Sequence, residues 1–227
     1  DSKDRCLTTL LTRFVTRPQR PSQPPLPEML WVLSWQALQS LAISAESRAV
    51  LSRNQLISKI PLLLRRTLAM CDDVRASAVL DFVANLTFEI DGQQAFMRSS
   101  DGFDTILDAL EGRLIRSRIA AALCLRNLAF APEGRAAFLA KPRALPATLA
   151  CLSDPSQALA AHAAAALWAL VSRCEKAKVA LRDGLLREAL HSGERALHAA
   201  SARDPHGDAV GSALHDLRMA TQIMGLD

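Results

Sequence analysis

One short pattern occurs three times in this chain at a constant interval. The copies are Asp81–Leu86, Leu123–Leu128 and Ala165–Leu170, and a weaker copy ends at Leu41, at a slightly longer interval before the first. A repeat interval of roughly 40 residues in a helix-rich chain is typical of a helical solenoid, whose units bury their apolar faces against one another. The repeats therefore predict a stack of helical units rather than a domain with one closed core.

The composition also favours helices. Half of the 227 residues are hydrophobic, whereas aromatic residues make up 4% and tyrosine is absent. Most of the apolar content is alanine and leucine, which favour helices and close helix packing. We find no alternating apolar pattern of the kind expected of half-buried strands. The predicted fold class is therefore all-α.

The clearest repeat predicts three helices of unequal length. Residues 113–130 have a broad apolar face and predict a long helix, which the Pro/Gly segment Ala131–Gly134 ends. A short helix over 135–140 and a third over 144–152 follow. The same order is found in four units, which we place at about 28–70, 71–112, 113–154 and 155–200.

Segments of different composition flank the repeats. Residues 1–17 predict an N-terminal helix, and residues 18–27 contain five prolines and predict an extended linker. Residues 201–207 are polar, contain a proline and a glycine, and predict a second linker. Residues 208–227 predict a C-terminal helix that caps the stack, because a terminal repeat must be covered or polar. A chain that begins at Asp1, without methionine, suggests a piece of a longer protein.

Glycines mark the predicted helix breaks. They are Gly92, Gly102, Gly134 and Gly184. Since glycine is the residue that most readily ends a helix in a left-handed conformation, we expect that conformation at these positions.

Charge and chemistry-bearing residues favour no enzymatic function. The net charge of +4 over 227 residues is too weak to indicate a nucleic-acid-binding protein. The five cysteines contain no metal-binding spacing and are expected as free thiols in a reducing compartment. Phosphate loops and nucleophile motifs are absent from the sequence. We therefore expect no enzyme, no catalytic residues, no cofactor, no metal, no small-molecule substrate and no membrane insertion.

The stretch Ala120–Leu152, AAALCLRNLAFAPEGRAAFLAKPRALPATLACL, resembles the armadillo repeat. It has a long helix ending in Leu-x-Asn-Leu-Ala, a Pro/Gly break, a short helix, and then Ala-Leu-Pro before a leucine-rich helix. The resemblance extends more weakly over residues 30–197. It implies an armadillo-like right-handed helical solenoid of about four three-helix repeats, with a C-terminal capping helix. HEAT repeats, with two helices per unit, are the alternative.

A narrower resemblance concerns Ala163–Leu181, AAAALWALVSRCEKAKVAL, together with the segment Leu125–Phe130, LRNLAF. These segments are similar to the C-terminal armadillo region of the rotatin family, whose members are large helical-repeat scaffolds of centrioles and ciliary basal bodies. The resemblance implies a cytoplasmic, cytoskeletal location at the centriole or basal body, with other centriolar or ciliary proteins as partners.

Armadillo proteins that bind peptides use a tryptophan and an asparagine four residues apart on each long helix. The resemblance places the asparagine positions at Ser40, Asn85, Asn127 and Ala169. It places the tryptophan positions at Gln36, Asp81, Leu123 and Ala165. Without tryptophans, slots for basic side chains are not expected. Asn85 and Asn127 either clamp the backbone of a partner or order the ends of their own helices, and the sequence leaves both interpretations open.

Arginines are concentrated near the start and the end of one long helix, at Arg113, Arg116 and Arg126. They are a possible basic surface for an acidic partner, or a solvated face with local ion pairs to Asp108 or Glu111. Trp168 occupies the position of Arg126 in the next repeat, and we expect it in the core rather than in the groove.

The sequence thus predicts a non-catalytic protein-interaction scaffold, in the first place part of a centriolar or basal-body protein. Two alternatives stay open. One is an armadillo adaptor that binds a linear peptide of a transport or signalling partner. The other is an armadillo-repeat protein of the axoneme.

Overall fold

The computed structural model describes residues 2–16, 27–53, 56–99, 101–203 and 208–225. Within those ranges the chain forms fourteen α-helices, one 3-10 turn and no strand. The helices are α1 Ser2–Val15, α2 Glu28–Leu41, α3 Ala45–Arg53, α4 Leu56–Ala69, α5 Asp73–Leu86, α6 Ile90–Met97, α7 Gly102–Glu111, α8 Ile115–Ala129, α9 Pro132–Ala140, α10 Ala144–Ala150, α11 Gln157–Val171, α12 Glu175–Leu181, α13 Gly184–Arg203 and α14 Asp208–Met224. The 3-10 turn is Cys151–Ser153. The chain divides into two compact units, residues 1–120 and 121–227, with the boundary inside α8.

In the N-terminal unit, equivalent helices of successive repeats pack against one another. The long helix α2 lies against α5, the short helix α3 against α6, and α4 against α7. At the centre, Trp35 and Phe82 are fully buried, and their rings meet edge to face with centroids 5.3 Å apart. Buried aromatic side chains contribute a large apolar area and a preferred ring geometry, so this pair fixes α2 on α5.

In the C-terminal unit, the long helix α11 packs along α14. The helix α13 lies against α10 and the 3-10 turn that continues it. Apolar residues on one side of α14 are buried, namely Val210, Ala213, Leu214, Leu217, Ala220 and Met224. Their spacing of three and four residues is that of one helix face, so α14 packs with this apolar face toward the rest of the unit.

The helix bounds agree with the sequence predictions to within a few residues, with one correction at α13. The sequence predicts a helix that ends near Leu197 and a linker over 201–207, but α13 continues to Arg203. The proline and glycine that indicated the linker, Pro205 and Gly207, lie beyond residue 203, whereas residues 198–203 contain neither and include three alanines, which favour a helix. Residues 204–207 and residues 17–26 of the proline-rich linker lie outside the described part of the chain.

The expectation of left-handed glycines at the breaks is wrong. Among the described glycines, Gly225 alone has a positive φ, of 64°. Gly92 and Gly134 instead lie in the first turns of α6 and α9. A Cβ on Gly92 would lie 1.7 Å from the carbonyl oxygen of Leu86, and one on Gly134 would lie 2.0 Å from that of Leu128. Glycine is required there because two backbones approach closely.

In three repeats a side chain early in the short helix holds the end of the preceding long helix. The equivalent donors are Arg48, Gln93 and Arg135, and each reaches the carbonyl six residues before it. The bonds are Arg48 Nη1 to Ala42 O (3.1 Å), Gln93 Nε2 to Thr87 O (3.0 Å) and Arg135 Nη1 to Ala129 O (3.3 Å). The last carbonyls of a helix have no partner within the helix, so these bonds satisfy them and fix the next short helix.

The start of the long helix α8 is capped by a residue of α5, the long helix of the preceding repeat. The carboxylate of Asp73, in the first turn of α5, accepts hydrogen bonds from the backbone N–H of Arg116 (3.2 Å) and of Ser117 (2.9 Å). It also accepts one from Ser117 Oγ at 2.7 Å. Asp73 therefore provides α8 with the side-chain cap that a residue at its own start would ordinarily supply.

No described helix combines the length and hydropathy needed to cross a membrane.

Candidate protein-binding surface

The predicted groove residues of the N-terminal unit lie on two neighbouring long helices. Gln36 and Ser40 are exposed on α2, and Asp81 and Asn85 are half-buried on α5. Each pair is four residues apart and therefore lies on one side of its helix. Since α2 packs against α5, the four side chains belong to one polar area of this unit.

Asn85 makes a contact between repeats. Its Nδ2 donates to the carbonyl oxygen of Gln39, 3.4 Å away at the end of α2. Ser40 Oγ donates to the carbonyl oxygen of Gln36 at 3.0 Å, within its own helix. Asn85 thus orders a helix end, although that helix belongs to the preceding repeat, and the half-buried side chain still borders solvent. Its role as a clamp for a partner backbone stays a prediction.

Burial raises the pKa of Asp81 above its usual value of 3.8, because removing water disfavours the ionised carboxylate. A half-buried carboxyl group with a raised pKa is a good acceptor for an incoming donor, since a new hydrogen bond or positive charge would relieve the cost of its ionisation. The polar area of the N-terminal unit is therefore better suited to hydrogen-bond donors than to other carboxylates.

The predicted residues of the C-terminal unit are less accessible. Leu123 is half-buried on α8, and Asn127 is 5% exposed. The Oδ1 atom of Asn127 accepts bonds from Arg126 Nε (3.3 Å) and Nη2 (3.2 Å). The acceptor atom of Asn127 is thus already bonded, and its side chain is less accessible to a partner than that of the half-buried Asn85.

Arg126 belongs to a group of titratable side chains that the sequence analysis missed. Burial lowers the pKa of Arg126, and the charge of Asp216 opposes that shift. Burial, reinforced by the charge of Arg126, lowers the pKa of His162. Burial raises the pKa of Asp216, while His215 and Arg126 act in the opposite direction. The long helices α8, α11 and α14 therefore bring Arg126, His162 and Asp216 into electrostatic contact.

The signal for this group was weak in the sequence. His162 lies three and seven residues before Ala165 and Ala169, which places it on the same side of α11 as the predicted groove positions. Asp216 follows His162 by more than one regular interval, because α13 is long. The repeat interval therefore gave no indication of Asp216.

The basic surface predicted from three arginines is uneven. Arg113 and Arg116 are exposed, whereas Arg126 is half-buried. Across the described ranges, no three histidine, cysteine or acidic residues form a group that could hold a metal ion.

Trp168, predicted in the core, is half-buried and meets the ring of Phe130 edge to face at 6.1 Å. It lies one residue before the groove position Ala169, and so on the flank of α11 rather than on its buried side.

Known structures identify the fold. A designed armadillo-repeat protein for modular peptide recognition matches with a TM-score of 0.71 at 14% identity, over 98% of this chain and 92% of that one. A second designed armadillo-repeat protein, solved with the peptide (KR)4, matches with a TM-score of 0.71 at 15% identity, over 98% of this chain and 82% of that one. The chain has the armadillo-repeat solenoid fold, which confirms the predicted fold class.

Sequence comparison gives a more particular similarity. The chain is 27% identical to rotatin of Mus musculus over 150 residues, and 30% identical to rotatin of Homo sapiens over 104 residues. These matches cover 64% and 46% of this chain but 7% and 5% of the two rotatins. The chain thus corresponds to a small part of the length of these relatives. No protein-family model matches it.

Proposed function

We propose that this chain is a non-catalytic protein-interaction segment of a rotatin-type structural protein at the centriole or ciliary basal body. The observation that carries the proposal is the similarity to mouse rotatin, 27% identity over 150 residues, in a chain with the armadillo-repeat fold. A stack of repeats presents an extended surface without a closed active site, which suits a scaffold.

The polar area of the N-terminal unit is the surface we assign to a partner. Exposed Gln36 offers an amide donor and acceptor, and the half-buried Asp81 and Asn85 lie on the adjacent helix. The designed relative solved with (KR)4 binds a basic peptide. In this chain, Asp81 supplies an acceptor for a donor-rich segment, while glutamine and aspartate replace the aromatic side chains that would stack on its basic residues.

The proposal is tested by tagging the full-length protein at its endogenous locus in ciliated cells. We expect the tag to coincide with a centriole marker, and proximity labelling to recover centriole components. A matched line in which residues 28–200 are deleted should keep the protein but lose part of that set. A tag spread through the cytoplasm, with no centriolar enrichment, would reject the assignment. A set made only of axoneme proteins would favour the axonemal alternative.

A peptide-binding adaptor is the second candidate, and Asn85 is the observation that favours it. If its amide also holds a partner backbone, Asn85→Ala should weaken binding of a recovered partner about tenfold, as for loss of a hydrogen bond that leaves a polar group unpaired. Gln222→Ala, an exposed amide on α14 outside both proposed surfaces, is the matched control. Circular dichroism would show that both variants keep their helix content. Equal affinities for the two variants would count against the adaptor.

A further inference from the structure

A cleft of 690 Å³ lies in the N-terminal unit, on helices that the groove prediction did not include. It is lined by residues of α3, α4 and α6, which pack against one another. Ile57 and Ala95 are 5% and 7% exposed and contribute apolar atoms to the lining. A volume of this size is within the range of ligand-binding pockets, so the cleft can hold several residues of a peptide.

Two arginines give the cleft a positive charge. Arg53 ends α3 and Arg98 follows α6, and both side chains are exposed. Within the described part of the chain, neither guanidinium has a carboxylate or other hydrogen-bond partner. Arginine is well suited to bind carboxylates, because its planar group offers two parallel N–H donors.

Among the described residues, one carboxylate lines the cleft, and it already accepts hydrogen bonds. Asp91 accepts bonds from Arg48 Nε at 3.0 and 3.2 Å, and from the backbone N–H of Gly92 at 2.9 Å. Arg48 neutralises Asp91, so Arg53 and Arg98 keep their positive field. The hydroxyl groups of Ser52 and Ser99 add polar atoms beside them.

The two arginines hold equivalent positions in successive repeats. The separation of Arg53 and Arg98 along the chain equals that of Leu41 and Leu86, which end two copies of the repeated pattern. The arginines therefore occupy equivalent positions in two repeats whose short helices are in contact. Packed helices are about 8–10 Å apart, so the arginines suit two anionic groups at that separation rather than a single small ion.

We propose that this cleft binds an acidic segment of a partner protein, with one aspartate or glutamate on Arg53 and another on Arg98. In an extended segment, side chains two residues apart are about 7 Å apart, which approaches the spacing of the two helices. Arginine at the end of a helix also stabilises that helix through its dipole. A role in stabilising its own helix would explain each arginine separately. It would not explain why both arginines line one cleft whose carboxylate, Asp91, already binds Arg48. The proposal is independent of the centriolar assignment.

The test uses the whole chain and a fluorescein-labelled peptide of eight glutamates, with affinity measured by fluorescence anisotropy at low ionic strength. We expect Arg53→Glu with Arg98→Glu to weaken binding at least about tenfold, because each attraction becomes a repulsion. The control is Arg13→Glu with Arg66→Glu, two exposed arginines outside the cleft in the same unit. It makes the same change in net charge and should keep the affinity within about twofold.

A variant without a charge change separates shape from charge. Ala49 lines the cleft and is exposed, so Ala49→Trp should fill the space and weaken binding while the arginines remain. Thermal unfolding confirms that each variant folds. If the charge reversals do not fold, Arg53→Gln with Arg98→Gln replaces them. Sodium phosphate at matched ionic strength should displace the peptide no better than sodium chloride.

Four results would overturn the proposal. One is a wild-type chain that does not bind the peptide. Another is an equal loss of affinity in the cleft and control variants, which would indicate only long-range attraction. A third is unchanged binding in the folded cleft variants. The last is full displacement by millimolar phosphate, which would identify a site for small anions.

Discussion

The junction between a long helix and the next short helix is built in two ways along the repeat array. After α5 and α8, Gly92 and Gly134 let the short helix approach a backbone carbonyl, and Gln93 and Arg135 bind the helix end. After α11, the corresponding positions are Lys176, which is exposed, and Ala177, which has no side-chain donor.

The difference coincides with a change in the length of the repeat. The third helix of the repeat has 10 residues in α7, which follows a glycine junction. It has 20 residues in α13, which follows the junction without glycine. In the C-terminal unit a residue just after α12, rather than one early in a short helix, binds the end of a long helix. Arg182 Nε donates to the carbonyl oxygen of Met224, the last residue of α14, at 2.8 Å. The constant repeat interval thus accompanies direct backbone contact, and the interval is lost where a longer side chain replaces glycine.

The largest expected effect is at the leucine that ends each copy of the repeat. Leu128 is fully buried, so Leu128→Ala should lower the free energy of unfolding by about 2–5 kcal/mol through lost burial and a residual cavity. Leu41 is half-buried in the weaker copy, and Leu41→Ala should cost less. Urea titration measures both. Leu62→Ala, 71% exposed, is the control and should stay within about 0.5 kcal/mol of the wild type. A cost near zero at Leu128 would contradict the assigned helix face.

The glycine junction can be tested by adding a single methyl group. Gly134→Ala should destabilise the chain by about 1–3 kcal/mol, because its Cβ meets a backbone carbonyl that cannot rotate away. Gly211→Ala is the matched control, since nothing lies within 4 Å of its Cβ in α14. Alanine is the better helix former there and should stabilise by about 0.5–1 kcal/mol. If both substitutions stabilise, close backbone approach does not explain the regular interval.

The cap on α8 gives a smaller effect. Asp73→Ala removes the acceptor for the N–H groups of Arg116 and Ser117 and should cost about 1 kcal/mol. Glu28→Ala is the control, because Glu28 occupies the equivalent position in the preceding repeat and is exposed. Thermal unfolding of the two variants should differ in midpoint. Equal midpoints would mean that water satisfies the start of α8.

The comparison also explains how far the sequence could predict the molecule. The regular leucines and the Pro/Gly breaks indicated most helices, because burial and helix termination are local properties with clear residue preferences. For Gly92 and Gly134 the pattern suggested a conformational reason, whereas the actual reason is contact with a carbonyl of the preceding long helix. The pairing of Arg53 with Arg98 depends on how repeats stack, and the bond from Asn85 to Gln39 depends on the same packing.

The smallest effect concerns His162, which stands one repeat interval after Ala120 and has no counterpart in the preceding repeat. Burial and the charge of Arg126 lower its pKa below 6.5, so the folded chain binds fewer protons here than the unfolded chain. This group therefore leaves stability unchanged above about pH 6.5 and lowers it as the pH falls from there toward the folded pKa. His162→Ala, which restores the residue of the preceding repeat, should flatten that part of the curve.

Urea titrations at a series of pH values between about 8 and 5 would measure the difference between the two proteins, in which the contributions of other groups largely cancel. Arg126→Gln should reduce the same slope, because it removes the charge that opposes protonation. Parallel curves for the wild type and His162→Ala would show that His162 titrates normally in the folded chain. The charge of Arg126 would then have no measurable effect on the protonation of His162.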